Sequence, residues 1–151
     1  MNFQNQVFDL HRLDSVPGHG IRRLQQIAVA LFMQETEGLG LTPVQFAVLQ
    51  ALEGQPGLDQ KSLAEKVSFD TSTIGAVIDR LEGKQLLTRS LSAQDRRVRL
   101  LHLTQAGLDL LESAMPAVQR TQQRILQPLD EGERELFCQL LQKLCANQVV
   151  G

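Results

Sequence analysis

The sequence predicts a mainly α-helical fold that carries one small β-hairpin. Over most of its 151 residues the apolar side chains recur at three- and four-residue steps, as they do on amphipathic helices. Between residues 87 and 103 the pattern changes to alternation, which is typical of strands. The chain length and the 42% share of hydrophobic residues fit one globular domain. We therefore expect a single domain over residues 1–151.

Four helices are predicted ahead of the hairpin. Residues 1–18 are expected to form an arm with a short helix near residues 6–13, because they lack a clean period and end in a turn signal. The helices are expected at residues 21–37, 43–54, 60–67 and from residue 72 onward. The last two are short and are joined by a four-residue break, so they form a candidate helix-turn-helix.

A hairpin and two further helices are predicted in the second half of the chain. Strands are expected at residues 87–91 and 98–103, with the hairpin tip at residues 92–97. Thr104 then caps a long helix whose apolar positions form a heptad-like stripe, which favours packing against a partner helix. The stripe consists of Leu108, Leu111, Met115, Val118, Ile125 and Leu129. A last helix is expected at residues 131–147.

Charge is distributed unevenly along the chain. The formal net charge of −2 argues against a protein that coats nucleic acid without selectivity. Between residues 80 and 99, however, six basic side chains stand against two acidic ones. The basic residues are Arg80, Lys84, Arg89, Arg96, Arg97 and Arg99. This stretch predicts one basic face on the molecule.

The order of these elements predicts a winged helix-turn-helix, whose second helix enters the major groove of double-stranded DNA. At the start of that helix Ser72 and Thr73 offer hydroxyl groups that can reach phosphates or base edges. Alternatively, Asp70, Thr71 and Ser72 simply cap the helix. Further along, Arg80 can meet a phosphate or a guanine edge, or alternatively pair with Glu82 on the surface. Gly75 lacks a side chain, which suits either close approach to DNA or close packing against the neighbouring helix.

The hairpin tip carries the sharper signal for DNA binding. An arginine on a thin projecting loop can enter the narrow minor groove, where the negative potential is strongest. Arg97 is the candidate, with Arg96 beside it, and Asp95 can hold the Arg97 guanidinium in an extended pose. Arg89, on the first strand, completes the predicted DNA-binding set. Alternatively, the tip is a solvated turn that is rich in charge.

Several runs of residues in this region resemble the MarR family of bacterial transcription regulators. They are Asp70-Thr71-Ser72-Thr73-Ile74, Val77-Ile78-Asp79-Arg80-Leu81-Glu82, Gln85-Leu86-Leu87, Asp95-Arg96-Arg97 and Leu103-Thr104-Gln105-Ala106-Gly107. The resemblance spans about residues 20–147. It departs from the family pattern at Gln85, where the family often has glycine, so the preceding helix must end in another way.

The resemblance implies a homodimeric, sequence-specific regulator that reads a near-palindromic operator. It implies a winged-helix DNA-binding core at residues 41–103, with dimerisation helices supplied by residues 1–40 and 104–151. It also implies that Arg97 is the minor-groove arginine and that Asp95 is its partner. Repression is the more common outcome that the family implies.

The resemblance further implies release from DNA when a small phenolic or aromatic acid enters a crevice beside the first helix. The candidate ligand-binding residues are His19, Arg22, Arg23 and Phe46, since an arginine can pair with a carboxylate through two hydrogen bonds. Alternatively, the two arginines form a solvated helix face and His19 is a cap or turn residue.

Two other modes of action remain as alternatives. Cys138 and Cys145 are predicted to lie among leucines on the last helix, where a buried thiol is inert, so a thiol-based redox regulator is the less favoured reading. A winged helix can also serve as a protein-binding module, because fold alone does not determine function. The hairpin with its clustered arginines favours DNA over a protein partner.

Other functional classes lack their signals in the sequence. No apolar run approaches the roughly 18 residues of a membrane span, so we expect a cytoplasmic protein with no membrane contact. His11, His19 and His102 are scattered, and no cluster has the spacing of metal ligands. No phosphate-binding loop or nucleophile motif is present. We therefore expect neither a metal site nor a cofactor, and no enzymatic activity.

Overall fold

The computed structural model describes residues 7–147, and within them the chain is mainly helical with a small antiparallel sheet. The helices are α1 (Pro17–Glu35), α2 (Pro43–Gly54), α3 (Gln60–Val67), α4 (Thr71–Gly83), α5 (Gln105–Leu126) and α6 (Glu131–Asn147). The strands are β1 (Leu58–Asp59), β2 (Leu87–Leu91) and β3 (Arg99–Leu103). The predicted fold class is confirmed.

The N-terminal region differs from its prediction. No α-helix forms at residues 7–12, and a short 3-10 helix at Leu13–Ser15 precedes α1. Residues 1–6 of the predicted arm lie outside the described residues. Helix α1 begins at Pro17, four residues before the predicted start, because the fixed φ of proline suits a first helical turn where no N–H is needed. The pair Pro17-Gly18 therefore starts a helix instead of forming a turn.

Local capping explains where the next two helices begin, and the sequence predicted the bounds of both correctly. The Thr42 hydroxyl accepts a hydrogen bond from the Gln45 amide, and the Gln45 side chain accepts one from the Thr42 amide, which closes a capping box. The Asp59 carboxylate accepts from the Ser62 amide at 2.7 Å at the start of α3. These bonds occupy backbone donors that have no partner within a helix.

The sheet contains one strand that the sequence analysis missed. Its order is β1-β3-β2, and both pairings are antiparallel. Leu87 pairs with Leu103 at the base of the hairpin, and Leu58 of β1 pairs with Leu101. A strand of two residues is too short to show alternation, which is why the sequence pattern did not reveal β1.

The described residues divide into two compact units. Phe32–Val118 form the first, which we call the winged unit, and the described residues on either side of it form the second. The winged unit is wider than the predicted core of residues 41–103, because it includes the end of α1 and the first half of α5. The assignment of residues 1–151 to one domain stays a prediction. The core of the winged unit is made of large, fully buried side chains: Val48, Leu49, Leu52, Leu63, Ile74, Ile78, Leu81, Leu87 and Leu101.

The apolar stripe of α5, which the sequence analysis assigned to packing against a partner helix, is only partly buried in the single chain. Leu111 is buried, whereas Leu108 and Met115 are 37% and 46% exposed. The other buried positions of this helix hold small residues: Gly107, Ala114, Ala117 and Thr121. The sequence analysis did not single out these positions, because small residues allow close packing but carry little hydrophobic signal. Packing of the stripe against a partner helix stays a prediction.

Gly107 lets α5 approach the root of the hairpin. A Cβ at this position would clash with the backbone carbonyl oxygen of Leu86. The same carbonyl accepts a hydrogen bond from the Thr104 amide at 3.1 Å. The Thr104 hydroxyl donates to the Gln85 carbonyl at 2.7 Å and accepts from the Gly107 amide at 3.1 Å. The run Leu-Thr-x-x-Gly therefore fastens the start of α5 to Gln85 and Leu86, which lie between α4 and β2.

Helices α3 and α4 both end on a non-glycine residue in the left-handed region. Ser68 and Gln85 each have φ of 60°. After α4, the Gln85 amide donates to the Glu82 carbonyl and the Leu86 amide donates to the Leu81 carbonyl, which is a Schellman motif. Gln85 thus adopts the conformation that a glycine would supply, at a steric cost.

Replacing Gln85 with glycine is expected to stabilise the protein. Gln85→Gly removes the left-handed strain and should raise the free energy of unfolding by up to about 1 kcal/mol, since the larger entropy of the unfolded glycine chain offsets part of the gain. Urea unfolding measures the change. Gln50→Gly, at an exposed position inside α2, is the matched control and should lose about 0.5–1 kcal/mol. Equal losses in both variants would contradict this account of the helix end.

Candidate nucleic-acid interface

Helix α4 presents one continuous exposed face. Its buried side chains are Ile74, Val77, Ile78 and Leu81. The exposed positions within it after Thr71 are Ser72, Thr73, Ala76, Asp79, Arg80 and Gly83. At 100° per residue, Ser72, Ala76 and Gly83 lie near the middle of this face. Ala76 was missed in the sequence analysis, although its spacing from Ser72 and Thr73 indicates its position.

Asp70 organises the start of α4. Its carboxylate accepts hydrogen bonds from the Thr73 amide at 2.8 Å, the Ser72 hydroxyl at 2.7 Å and the Thr73 hydroxyl at 2.6 Å. These bonds, those from Thr73 above all, hold the pKa of Asp70 well below its usual value, so the cap stays ionised at neutral pH. The capping alternative is thus realised. Both hydroxyls keep free lone pairs as acceptors.

Gly75 lies against the neighbouring helix. It is half-buried, and a Cβ built on it would come within 2.9 Å of Gln60 Nε2. Gln60 Nε2 in turn donates to the Thr71 carbonyl at 3.1 Å, which ties α3 to the first turn of α4. Close packing against α3 is therefore present at this glycine, and close approach to DNA stays a prediction.

Two arginines of the predicted set have different environments. Arg80 forms no ion pair with any of residues 7–147, so the predicted surface pair with Glu82 is absent. Glu82 instead accepts from Arg89 Nη1 at 2.7 Å, and Asp79 accepts from Arg89 Nη2 at 2.5 Å. The hydrogen bond to Asp79 is the main reason that the pKa of Arg89 is raised above its usual value. The Arg89 guanidinium is therefore engaged within the protein.

The hairpin tip is a hydrogen-bonded loop that displays an arginine. The Ser92 amide donates to the Val98 carbonyl and the Val98 amide to the Asp95 carbonyl, both at 3.0 Å. Asp95 accepts from the Arg97 amide, from Nε at 3.2 Å and from Nη2 at 3.3 Å. Those bonds lower the pKa of Asp95, while the Arg97 side chain stays 90% exposed. The predicted pairing of Asp95 with Arg97 is present, and Arg96 beside it is also exposed.

The candidate ligand residues fall into two groups. His19, Arg22 and Arg23 lie on α1, and Arg22 Nη2 is 3.3 Å from His19 Nδ1. Arg22 and Arg23 are both exposed. Phe46 is instead buried in the core of the winged unit, where its ring lies 6.0 Å from that of Phe32.

Helix α6 leaves its apolar face uncovered in the single chain. No residue of this helix is buried, and four leucines are 46% to 55% exposed: Leu136, Leu140, Leu141 and Leu144. Cys138 and Cys145 are also exposed, so the predicted burial of these thiols is wrong for the isolated chain. The prediction failed because it took the apolar neighbours as a core, and those neighbours themselves face outward.

A groove of about 490 Å³ on the winged unit does not suit an acidic ligand. Its lining consists of Glu53, Gln105, Leu108, Asp109, Leu111, Glu112 and Met115. Three carboxylates around a small apolar floor repel an anion. Among residues 7–147 no helix could cross a membrane, and no group of three or more His, Cys, Asp or Glu side chains is placed to hold a metal ion.

Helices α3 and α4, followed by the β2–β3 hairpin, define a winged helix-turn-helix protein. The model of the MarR family matches residues 41–98. The transcriptional repressor NicR of Pseudomonas putida is 31% identical over 127 residues, which cover 84% of this chain and 80% of NicR. The chain belongs to the MarR family and is a DNA-binding transcription regulator.

Two solved structures show the same fold. The PcaV regulator of Streptomyces coelicolor, in complex with its natural ligand, is 37% identical with a TM-score of 0.83, over 90% of this chain and 96% of PcaV. BpsR of Bordetella bronchiseptica, whose DNA binding is regulated by 6-hydroxynicotinic acid, is 34% identical with a TM-score of 0.80. That alignment covers 85% of this chain and 97% of BpsR.

Proposed function

We propose that this protein is a homodimeric repressor that binds a near-palindromic site in double-stranded DNA and leaves it when a small aromatic acid binds. The observation that carries the proposal is the exposed face of α4 beside a hairpin whose tip displays Arg97. That it works in the cytoplasm and catalyses no reaction is part of the same proposal.

In this proposal the two DNA-contacting elements read different grooves. The α4 face has small residues in its middle, Ser72, Ala76 and Gly83, so its backbone can approach base edges in the major groove. Arg80, at the side of that face, contacts a phosphate. Arg97 enters the flanking minor groove, where narrow walls concentrate negative potential.

Removing the tip arginine is expected to weaken operator binding. Arg97→Ala should raise the dissociation constant by about tenfold or more and reduce the slope of log affinity against log salt by roughly one. Fluorescence anisotropy measures both, with a duplex from the protein's own upstream region and a shuffled duplex at two salt concentrations.

The matched control for that experiment is Arg12→Ala. Arg12 is also an exposed arginine that pairs with an aspartate two residues away, Asp14, at 3.1 Å, but it lies outside the winged unit. The Arg12→Ala variant should bind DNA as the wild type does. If wild type and Arg97→Ala bind both duplexes equally weakly, the hairpin is not a DNA probe.

A second copy of the chain is the proposed partner for the leucine face of α6. An exposed row of four leucines on one helix is unfavourable in water, and apolar faces of this kind are typical of homodimer interfaces. Dimerisation would also place two winged units on successive half-sites about one DNA turn apart, roughly 34 Å. The apolar row on this helix thus supports the two-fold symmetry that the proposed operator needs.

Charging the leucine face should separate the dimer. The double variant Leu140→Glu with Leu144→Glu is expected to sediment as a monomer at concentrations where the wild type is dimeric, because two carboxylates would be buried without partners. Gln142→Glu adds a charge on the same exposed helix, away from the leucines, and should remain dimeric. Neither leucine is buried in the single chain, so folding should be retained. A dimeric double variant would refute the proposed interface.

The proposed effector is a hydroxylated aromatic acid. Support comes from the adjacent Arg22 and His19 on α1, a pair that can hydrogen-bond a carboxylate, and from the effector of BpsR. Phe46 is not part of this proposal, because its ring fills the core.

The test is release of operator DNA by 6-hydroxynicotinic acid. The amide of the same compound, which lacks the carboxylate, should not release it. Arg22→Gln should raise the concentration that gives half-release by about tenfold, since it removes a charge-assisted hydrogen bond. Arg12→Gln is the control and should respond as the wild type. Equal potency of acid and amide would exclude recognition through the carboxylate.

A further inference from the structure

Arg89 occupies the junction between the hairpin and helix α4. Its backbone pairs with Leu101 in the middle of the β2–β3 ladder. Its side chain is only 24% exposed and reaches α4, where Nη2 donates to Asp79 and Nη1 to Glu82. The two carboxylates lie three residues apart, so they point toward the same side of the helix.

We infer that Arg89 does not contact DNA but positions the hairpin against α4 and offsets one of the two negative charges that Asp79 and Glu82 place beside the exposed face of α4. The inference rests on the proposed DNA-binding function. It assigns Arg89, Asp79 and Glu82 to one unit, which we call the Arg89 clamp.

The geometry of the clamp requires an arginine. A guanidinium presents two donor edges in a fixed plane and can hold two acceptors at once, whereas a lysine ammonium is a single point of charge. The two terminal nitrogens of Arg89, Nη1 and Nη2, donate hydrogen bonds to different carboxylates. The hairpin tip extends from β2 and β3, so a clamp at the middle of β2 limits how far the tip can swing relative to α4.

The clamp also controls charge beside the proposed DNA surface. Asp79 is 68% exposed and belongs to the exposed face of α4, where a free carboxylate would repel phosphates. With Arg89 in place the three groups sum to one negative charge, and without it they sum to two. Loss of Arg89 should therefore weaken DNA binding even though Arg89 touches no phosphate.

A double-mutant cycle separates this role from direct contact. Arg89→Gln is made in the wild type and in the Asp79→Asn, Glu82→Gln background, and operator affinity is measured for all four proteins. If Arg89 acts through the carboxylates, it costs about tenfold in the wild type and less than about twofold in the neutral background. If Arg89 binds DNA, the loss is the same in both backgrounds, which would overturn the inference.

Two further measurements distinguish a loss of protein stability from a loss of hairpin positioning. Misfolded protein would reduce binding to operator and shuffled duplexes alike, whereas a displaced hairpin should lower the ratio of specific to non-specific affinity. Arg89→Lys, which keeps the charge but not the fork, should restore only part of that ratio. Full recovery with lysine would show that charge alone is required.

A measurement without DNA distinguishes failure of this inference from failure of the proposed function. Hydrogen exchange at the Ser92 and Val98 amides, which are bonded within the tip, should quicken in Arg89→Gln. Arg99→Gln, at an exposed arginine on β3 that has no ion pair among residues 7–147, should leave both amides unchanged. Unchanged exchange in Arg89→Gln would refute the clamp, whatever the DNA measurements show.

Discussion

The architecture of the winged unit depends on one close backbone contact, between the Leu86 carbonyl and the first turn of α5. That carbonyl accepts the Thr104 amide, and the absence of a side chain at Gly107 leaves room for the approach. The end of α4, the start of β2, the end of β3 and the start of α5 therefore meet at one point. A larger residue at position 107 would separate elements that are far apart in sequence, since interiors transmit local strain.

Counting basic residues overestimates the positive charge that is available for binding. Between residues 80 and 99 the chain has six basic side chains, but several are already engaged. Arg89 is held by two carboxylates, and Lys84 donates to the Gly40 carbonyl at 3.1 Å. Arg97 is bonded to Asp95 while remaining exposed. Sequence proximity showed that the region is basic, but only the folded structure separates arginines that hold the protein together from those that face solvent.

The features that could be predicted from the sequence are those encoded within a few residues. Caps at Thr42 and Asp59 and the Asp95 to Arg97 pairing are local, so their spacing sufficed. The Arg89 clamp and the contact of Gly75 with Gln60 each join separate elements, so no short stretch of the sequence could reveal them. The small residues on the buried face of α5 were missed for a related reason, since what a small residue packs against is a property of the fold.

The bonds between Asp95 and Arg97 have a consequence for the entropy of association. A free arginine side chain samples many rotamers, and ordering it at an interface costs conformational entropy. Here the guanidinium is held at the tip by the carboxylate two residues before it, in the absence of any ligand. Part of that ordering has therefore taken place during folding, and a partner that meets the tip finds a side chain with fewer orientations to lose than a free arginine has.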